Sequence, residues 1–252
     1  MLTNFHTHHY YCRHAKGNVE DYVKQAIKEK YSIIGISDHA PLEKYYDKRM
    51  TLSEFPKYLS EIKQCQKKYQ DIIEIKSALE CEYFSDMIEF YELLKTKLDY
   101  IILAIHDYVY NGKMYCSYYI NNKEMLKGYF ETMMLGIKSK YFSFVAHPDL
   151  FAFSYHLDDL AKVYTHKLAK LCIEKDMILE FNANGYRRGK DNIRGEYRFY
   201  YPYKPFWEII KEYNVKVIVN SDCHNPLYLN DKYERYARSQ AISWGLNVVN
   251  KL

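Results

Sequence analysis

The chain alternates between short apolar runs and longer segments in which apolar positions recur every three to four residues. A short apolar run is typical of a buried strand, and the longer period predicts an amphipathic helix. Seven strand–helix pairs follow one another along the sequence. The predicted pairs are Leu2–Phe5 with Val19–Lys30, Ile33–Ser37 with Ser53–Tyr69, Ile72–Ala78 with Met87–Lys97, Tyr100–Ile105 with a helix within Asn121–Lys140, Phe142–Ala146 with Leu157–Glu174, Met177–Phe181 with Pro205–Tyr213, and Val215–Asn220 with Tyr233–Gly245.

This alternation predicts an α/β fold with a parallel sheet covered by helices. Seven units in one domain fit a closed barrel at least as well as an open, doubly wound sheet. No glycine-rich GxGxxG turn follows the first predicted strand, which weakens a nucleotide-binding interpretation. We therefore predict one domain, residues 1–252, whose longest loops are Ala40–Thr51 and Gly185–Tyr203. Long loops in compact domains are often functional.

Composition narrows the classes of function. A hydrophobic fraction of 48% and a charged fraction of 27% are typical of a folded globular protein. The net charge of +4 comes with lysines scattered along the predicted helices, which does not indicate a nucleic-acid groove but suits a small anionic substrate. The six cysteines form no CxxC pair, and the sequence shows neither a signal peptide nor an apolar stretch of the roughly 18 residues that span a bilayer. We expect a cytoplasmic protein with reduced thiols and no membrane segment.

Histidine follows five of the seven predicted strands, although only ten of the 252 residues are histidines. In a parallel barrel these positions meet at one rim, where active sites lie. The residues after the seven strands are, in order, His6 with His8, Asp38 with His39, Glu80, His106, His147, Asn182, and Asp222 with His224. Imidazole and carboxylate ligands together suit zinc, iron or manganese, and Glu80 is the natural candidate to bridge two cations. The sequence therefore predicts a metal site at this rim.

The remaining histidines divide into two groups. His9 alternates away from the His6–His8 face, and His156 and His166 lie on or beside a predicted helix, so we expect these three to be structural or solvated. His14 lies in the first loop, within reach of the rim, and is a candidate ligand if a third ion is bound.

Six ordered motifs resemble those of the polymerase and histidinol phosphatase (PHP) family, over residues 5 to about 226. They are Phe5-His6-Thr7-His8 with His14 close behind, Ser37-Asp38-His39-Ala40-Pro41, Leu79-Glu80, Ala104-Ile105-His106, Ala146-His147-Pro148-Asp149, and Ser221-Asp222-Cys223-His224. Softer matches around Cys12 to Ala15, Asn182 to Arg187 and Tyr201-Pro202 resemble the histidinol-phosphate phosphatases within that family.

The resemblance implies a distorted, TIM-like (β/α)7 barrel with a trinuclear site for zinc, iron or manganese. By that resemblance, His6, His8, Glu80 and Asp222 hold one ion, Glu80, His106 and His147 a second, and His14, His39 and His224 a third. Two positions depart from the family pattern, namely Asn184, where a small residue is more usual, and Asp107, where an apolar or aromatic residue is expected. Both bear on the substrate rather than on the metal ligands.

The function implied is metal-dependent hydrolysis of a small phosphate monoester, most of all L-histidinol phosphate in histidine biosynthesis, by a hydroxide that bridges the two ions sharing Glu80. Glu80, Asp222 and His224 would then be catalytic. Three arginines in the loop after the sixth strand, Arg187, Arg188 and Arg198, are candidates to bind the phosphate, with Arg187 the first choice and surface ion pairs the alternative. Asp38 is a candidate to fix the tautomer of a ligating histidine, although strand alternation argues against its pointing the same way as His39.

Three other functions remain open. Another PHP phosphoesterase could act on nucleotides, an oligonucleotide end or a phosphodiester. A metal-dependent amidohydrolase also opens with HxH, but it commonly bridges two ions with a lysine, where this chain has Glu80. A non-catalytic barrel that binds metal would be expected to lack one or two ligands, and none is missing here.

Overall fold

A computed structural model of the protein describes residues 1–42 and 48–252. Its main element is a curled parallel sheet of eight strands, in the order β1-β2-β3-β4-β7-β8-β11-β12. The strands are β1 (Thr3–Asn4), β2 (Ile33–Ile36), β3 (Glu74–Cys81), β4 (Tyr100–Leu103), β5 (Asp107–Tyr110), β6 (Lys113–Cys116), β7 (Phe144–Val145), β8 (Ile178–Asn182), β9 (Lys190–Ile193), β10 (Glu196–Phe199), β11 (Lys216–Asn220) and β12 (Asn247–Val249). The helices are α1 (Val19–Lys28), α2 (Phe55–Tyr69), α3 (Ile88–Lys97), α4 (Lys123–Ser139), α5 (Asp159–Lys175), α6 (Asn184–Arg187), α7 (Lys204–Glu212) and α8 (Lys232–Ser243).

All seven predicted strand–helix pairs are present in the predicted order, and the distorted TIM-like barrel is confirmed. The prediction of seven strands was wrong by one, because β12 also pairs with β11. β12 has only three residues and no helix after it, so the apolar pattern gives it little weight. The predicted loop Gly185–Tyr203 contains the antiparallel β9–β10 hairpin, and a second hairpin, β5–β6, follows β4. Residues 43–47 of the predicted loop Ala40–Thr51 lie outside the described residues.

The first and last parts of the barrel meet at its carboxyl rim. Thr7 and Cys223 form a parallel bridge, in which the His8 backbone N–H donates to the Cys223 carbonyl at 2.9 Å. At the opposite end, the Thr3 hydroxyl donates to the carbonyl of Asn250, just after β12, at 3.1 Å. The ends of β1 and β11, which carry four of the predicted metal ligands, are therefore brought together.

Two apolar layers support this rim. One lies between the strands and the surrounding helices, and a smaller one fills the inside of the barrel with Phe5, Tyr100, Phe144 and their neighbours. The Tyr100 hydroxyl crosses this interior and donates to the Phe5 carbonyl at 2.6 Å. It passes so close to β2 that a Cβ on Gly35 would lie 1.9 Å from it, so only glycine fits there. The barrel is thus packed below the rim, and the polar side chains collect above.

Side chains at the helix starts fix where the helices begin. Asn18 and Asp21 form a capping box at α1, with bonds of 2.9 and 3.0 Å, and Asn122, Asp158 and Asp231 cap α4, α5 and α8. None of the helices in the described part of the chain is long and apolar enough to cross a membrane.

Candidate metal centre

Glu80 lies at the centre of the rim. Backbone pairing continues past β2, since Glu80 N–H donates to the Asp38 carbonyl at 3.0 Å, and this places His39 beside Glu80. Five imidazole nitrogens then surround the Glu80 carboxylate. Oε1 is 3.0 Å from His147 Nε2, 3.3 Å from His6 Nε2 and 3.6 Å from His106 Nε2, and Oε2 is 2.9 Å from His39 Nδ1 and 3.4 Å from His8 Nε2. A buried carboxylate with both oxygens facing ring nitrogens suits a bridging ligand.

The first predicted set, which is His6, His8, Glu80 and Asp222, is compact. The Nε2 atoms of the two histidines face each other at 3.0 Å, and His8 Nε2 is 3.1 Å from Asp222 Oδ1. His6 Nδ1 is 2.8 Å from the Glu180 carboxylate, which accepts its proton and leaves Nε2 facing the other ligands. Ring nitrogens and carboxylate oxygens that converge in this way fit a cation.

The third predicted set is more open. The ring centroids of His14 and His224 are 4.8 Å apart, those of His14 and His39 5.6 Å, and those of His39 and His224 6.5 Å. His14 Nδ1 donates to the Cys12 carbonyl at 2.6 Å, and this leaves its Nε2 free to bind a metal. The second set, with the His106 and His147 rings 4.9 Å apart, shares Glu80 with the first. The structure thus brings all nine predicted ligands to one rim, and these donor types fit divalent transition metals.

Two of the predicted ligands have strained backbones. His147 has φ +29° and Asp222 has φ +46°, values in the region that favours glycine. A non-glycine residue there costs about 1–3 kcal/mol and is concentrated at functional sites. The rim therefore positions these two side chains at the expense of local backbone stability.

Buried carboxylates hydrogen-bond to the ring nitrogens of two predicted ligands that point away from the metal rim. The sequence analysis did not identify these two carboxylates. Glu180 contacts His6 Nδ1 at 2.8 Å, and Glu82 contacts His106 Nδ1 at 2.9 Å. The available signal was spacing, because Glu82 lies two residues after Glu80 and shares its face. Asp38, a candidate to fix the tautomer of a ligating histidine, faces the rings of His9 and His8 rather than that of His39. Its carboxylate is 2.8 Å from His9 Nδ1 and 3.5 Å from His8 Nδ1, and it meets His39 only at the backbone N–H.

Negative charge dominates this rim electrostatically. Burial opposes protonation of His8, but hydrogen bonds to Asp222 and Asp38 and the charge of Glu80 raise its pKa to about 9. Burial would raise the pKa of the Glu80 carboxyl, yet the surrounding histidines hold it well below its usual range. By contrast, burial and the nearby His8 lower the pKa of His39 to about 3. Ionised carboxylates that retain protons on neighbouring imidazoles attract cations, and a divalent ion would displace those protons.

Comparison with known proteins identifies the family. The PHP domain model matches residues 4–184, which is more than half of the chain. This chain belongs to the PHP family. The resemblance seen in its motifs is therefore confirmed, and the matched region includes every predicted ligand except Asp222 and His224, which the structure adds to the rim.

Similar proteins span nearly the whole PHP chain. A probable histidinol-phosphatase of Deinococcus radiodurans is 25% identical over 240 residues, covering 89% of this chain and 87% of that protein. A probable histidinol-phosphatase of Schizosaccharomyces pombe is 22% identical and covers 90% and 81%. The crystal structure of histidinol phosphate phosphatase from Lactococcus lactis, complexed with zinc, L-histidinol and phosphate, has the same fold, with a TM-score of 0.74, 18% identity and coverage of 98% and 95%.

The other histidines of this PHP protein lie outside the metal rim. His9 is buried among tyrosine rings, and its Nδ1 contacts Asp38. His166 Nδ1 is 2.9 Å from the Tyr213 hydroxyl on the outer helices, and the ring of His156 stacks on Tyr155 at 5.1 Å. These positions agree with the structural roles expected for the three residues.

The two positions that depart from the family pattern lie close to the rim. Asn184 Nδ2 is 3.3 Å from Asp222 Oδ2, beside Asn182 Nδ2 at 3.1 Å, so both amides hold the outer oxygen of that ligand. Asp107 begins β5, opposite Cys116, and burial raises the pKa of its carboxyl. Asn184 thus has a direct contact with the metal rim.

Two of the three predicted phosphate-binding arginines are engaged elsewhere. The Arg187 guanidinium donates to both Asp231 oxygens, at 2.9 and 3.0 Å, and to the carbonyl and hydroxyl of Ser221. Arg198 donates to the carbonyls of Ala152 and Tyr155 at 2.8 Å. Both sets of contacts favour a structural role.

Arg188 lies in a different environment. Its guanidinium lies over the rings of Tyr118 and Phe153, at 5.6 and 5.8 Å. It lines a cavity of about 420 Å³ together with His14, His224 and the paired Arg187. A cation at the wall of a cavity that reaches the third predicted metal set is well placed to meet an anion.

Replacing Arg187 by alanine is expected to lower the free energy of unfolding by about 2–4 kcal/mol, because the Asp231 carboxylate and the Ser221 carbonyl lose their donor. Urea unfolding of the metal-free protein measures this loss. Arg194→Ala is the control, since its guanidinium donates to backbone carbonyls of Ser154 and Asn121 at the surface. An unchanged unfolding midpoint together with a raised KM for a phosphorylated substrate would instead support the sequence-based assignment of Arg187 to phosphate.

Proposed function

We propose that this PHP protein is a metal-dependent phosphatase that hydrolyses a small phosphate monoester, L-histidinol phosphate before others, to histidinol and phosphate. The observation that carries this proposal is the convergence of imidazole nitrogens on the buried Glu80 carboxylate, next to a cavity that exposes Arg188. The names of the curated relatives and the histidinol and phosphate bound in the Lactococcus lactis structure support the choice of substrate.

The predicted ligand sets would hold three divalent ions. One set is His6, His8, Glu80 and Asp222, the second is Glu80, His106 and His147, and the third is His14, His39 and His224. The zinc in the Lactococcus lactis structure supports zinc among the candidates zinc, iron and manganese. When bound, such ions lower the pKa of water and neutralise charge on phosphoryl oxygens, the two requirements of a slow monoester hydrolysis.

The chain's own residues would position the reactants. Arg188 would bind phosphoryl oxygens as they enter the cavity it lines. The Asn182 and Asn184 amides hold Asp222 Oδ2, which keeps Oδ1 turned toward His8 and leaves this carboxylate as the candidate to assist the leaving oxygen. The burial of Glu80, His6 and His8 excludes bulk water from the inner part of the rim, where charge interactions are then stronger.

We further propose that residues 1–252 act as one catalytic domain. β12 near the end of the chain pairs with β11, and Asn250 beside it accepts a bond from Thr3 in β1, so the two ends of the sequence join the same barrel. The β9–β10 hairpin follows α6 and carries Arg198, and Tyr200 directly after it stacks on Phe153, whose ring also lies under the Arg188 guanidinium.

Metal analysis and a substrate panel test this proposal together. Purified protein is expected to contain stoichiometric divalent metal and to release phosphate from histidinol phosphate faster than from nucleoside monophosphates or p-nitrophenyl phosphate. Dialysis against a chelator should abolish phosphate release, and adding zinc, manganese or iron(II) should restore it. Equal rates on all esters would overturn the substrate, and metal-loaded protein that hydrolyses none of them would point to a non-catalytic barrel.

A further inference from the structure

Two of the predicted metal ligands are held by buried carboxylates in the same way. His6 Nδ1 contacts Glu180 at 2.8 Å, and His106 Nδ1 contacts Glu82 at 2.9 Å. A carboxylate that accepts the distal proton of an imidazole increases the electron density on the other nitrogen and so strengthens the bond to a metal. On this basis alone the two histidines would be equivalent ligands.

Arg49 makes them different. Its guanidinium grips both oxygens of Glu82, with Nη1–Oε2 at 2.6 Å and Nη2–Oε1 at 2.5 Å, and both side chains are almost completely buried. Glu180 instead accepts from neutral donors, the side-chain amides of Asn182 and Asn220 and the backbone N–H of His147. Within residues 1–42 and 48–252, no lysine or arginine nitrogen lies within 4.0 Å of the Glu180 carboxylate.

The charge on Glu82 is therefore balanced inside the protein, whereas that on Glu180 acts mainly on His6. A carboxylate that is paired with a guanidinium accepts the imidazole proton more weakly. The other nitrogen of His106 is therefore less electron-rich and donates more weakly to a cation. His147, the other histidine of the same set, has no acceptor for its buried Nδ1 among the described residues. Both imidazoles of the Glu80–His106–His147 set thus lack the uncompensated carboxylate that supports His6.

We propose that Arg49, by neutralising Glu82, makes the ion held by Glu80, His106 and His147 the more readily exchanged of the two ions that share Glu80, here called the inner pair. This inference rests on the metal-ligand sets of the proposed function. Arg49 is a positioning residue in this scheme, since it acts through Glu82 and His106 without touching the ion. The buried Arg49–Glu82 pair would then set the order in which the two ions that share Glu80 are lost.

A chelator titration with elemental analysis of the retained metal tests the proposal. In the unsubstituted protein, one ion of the inner pair should leave at lower chelator concentration than the other, and His106→Ala should remove that early phase. Arg49→Gln is expected to tighten this ion about tenfold, because Glu82 regains its full pull on His106, and Glu82→Gln to loosen it by about 10–100-fold. Arg49→Gln/Glu82→Gln, which removes both charges, should return close to the original affinity.

Comparison of these variants with a control distinguishes the effect of charge in the Arg49–Glu82 pair from the effect of its packing. Arg238→Gln is the matched control, because Arg238 also pairs with a fully buried carboxylate, Glu234, at 2.8 Å and contacts none of the predicted ligands within the described residues. It should destabilise the fold without moving either phase. If Arg49→Gln does not fold, Glu82→Gln and the double variant decide by the recovery between them.

Equal loosening in all three Arg49 and Glu82 variants would show a purely structural pair and overturn the proposal, as would simultaneous loss of both inner ions from the unsubstituted protein. Substrate is absent from this measurement. The result therefore stands apart from whether histidinol phosphate is hydrolysed.

Discussion

Glu80→Ala is expected to abolish both metal retention in the inner pair and phosphatase activity. Glu80 faces His6, His147 and three further histidines, and among residues 1–42 and 48–252 it is the carboxylate that lies between the two inner ligand sets. Without it, the second ion would be held only by the neutral imidazoles of His106 and His147, and Asp222 would be the one carboxylate left in the first set, in a buried site where an uncompensated charge is costly. We expect a loss of about three orders of magnitude or more in kcat/KM, since metal ions contribute several kcal/mol to such transition states.

Elemental analysis and phosphate release from the same preparation check this expectation. Glu80→Gln sharpens the test, because glutamine keeps the size and an acceptor oxygen but removes the charge, so it should also lose metal. Glu234→Gln is the control for burial, since the Glu234 carboxylate is equally buried but contacts Tyr31 and Arg238 instead of the rim. Near-normal turnover in Glu80→Ala would show that Glu80 does not bridge the ions.

The part of the site that could be predicted from sequence is the part fixed by strand direction. Every predicted ligand except His14 follows an apolar run, and parallel strands bring their carboxyl ends to one rim, so His6, Glu80 and His147 could be placed together without knowing any distance. The same pattern gave the seven strand–helix pairs. The apolar pattern therefore predicts at which level along the barrel a residue lies.

Contacts between side chains from distant strands could not be predicted in this way. Glu180 lies inside the predicted strand Met177–Phe181, and one charged residue in an apolar strand does not by itself indicate a partner. Only the structure shows that its carboxylate contacts His6 across the barrel. Arg49 lies outside any predicted element, and the apolar pattern does not indicate that its guanidinium pairs with Glu82. Likewise, Arg187 and Arg188 are neighbours in sequence and line the same cavity, but the Arg187 guanidinium is paired with Asp231, whereas that of Arg188 lies over aromatic rings.

The different contacts of Arg187 and Arg188 lead to a second prediction with a large effect on activity. Arg188→Ala is expected to lower kcat/KM by about 10²–10³-fold while metal content stays unchanged, because a guanidinium that pairs with phosphoryl oxygens is lost from a site where one charged donor is worth several kcal/mol. The exposed Arg188 guanidinium lies over the rings of Tyr118 and Phe153, and no carboxylate of the described residues forms a salt bridge with it. Arg188→Lys should recover part of the loss, since lysine keeps the charge but not the planar fork.

Inhibition by inorganic phosphate distinguishes binding of the phosphoryl group from binding of the leaving group. If Arg188 contacts the phosphoryl oxygens, its removal should raise the inhibition constant of phosphate along with the KM of the ester, because both ligands carry the same oxygens. Arg194→Ala, in the turn of the β9–β10 hairpin, should change neither value. A raised KM with an unchanged inhibition constant would place Arg188 against the alcohol portion of the substrate, and the phosphate would then be held by the metal rim alone.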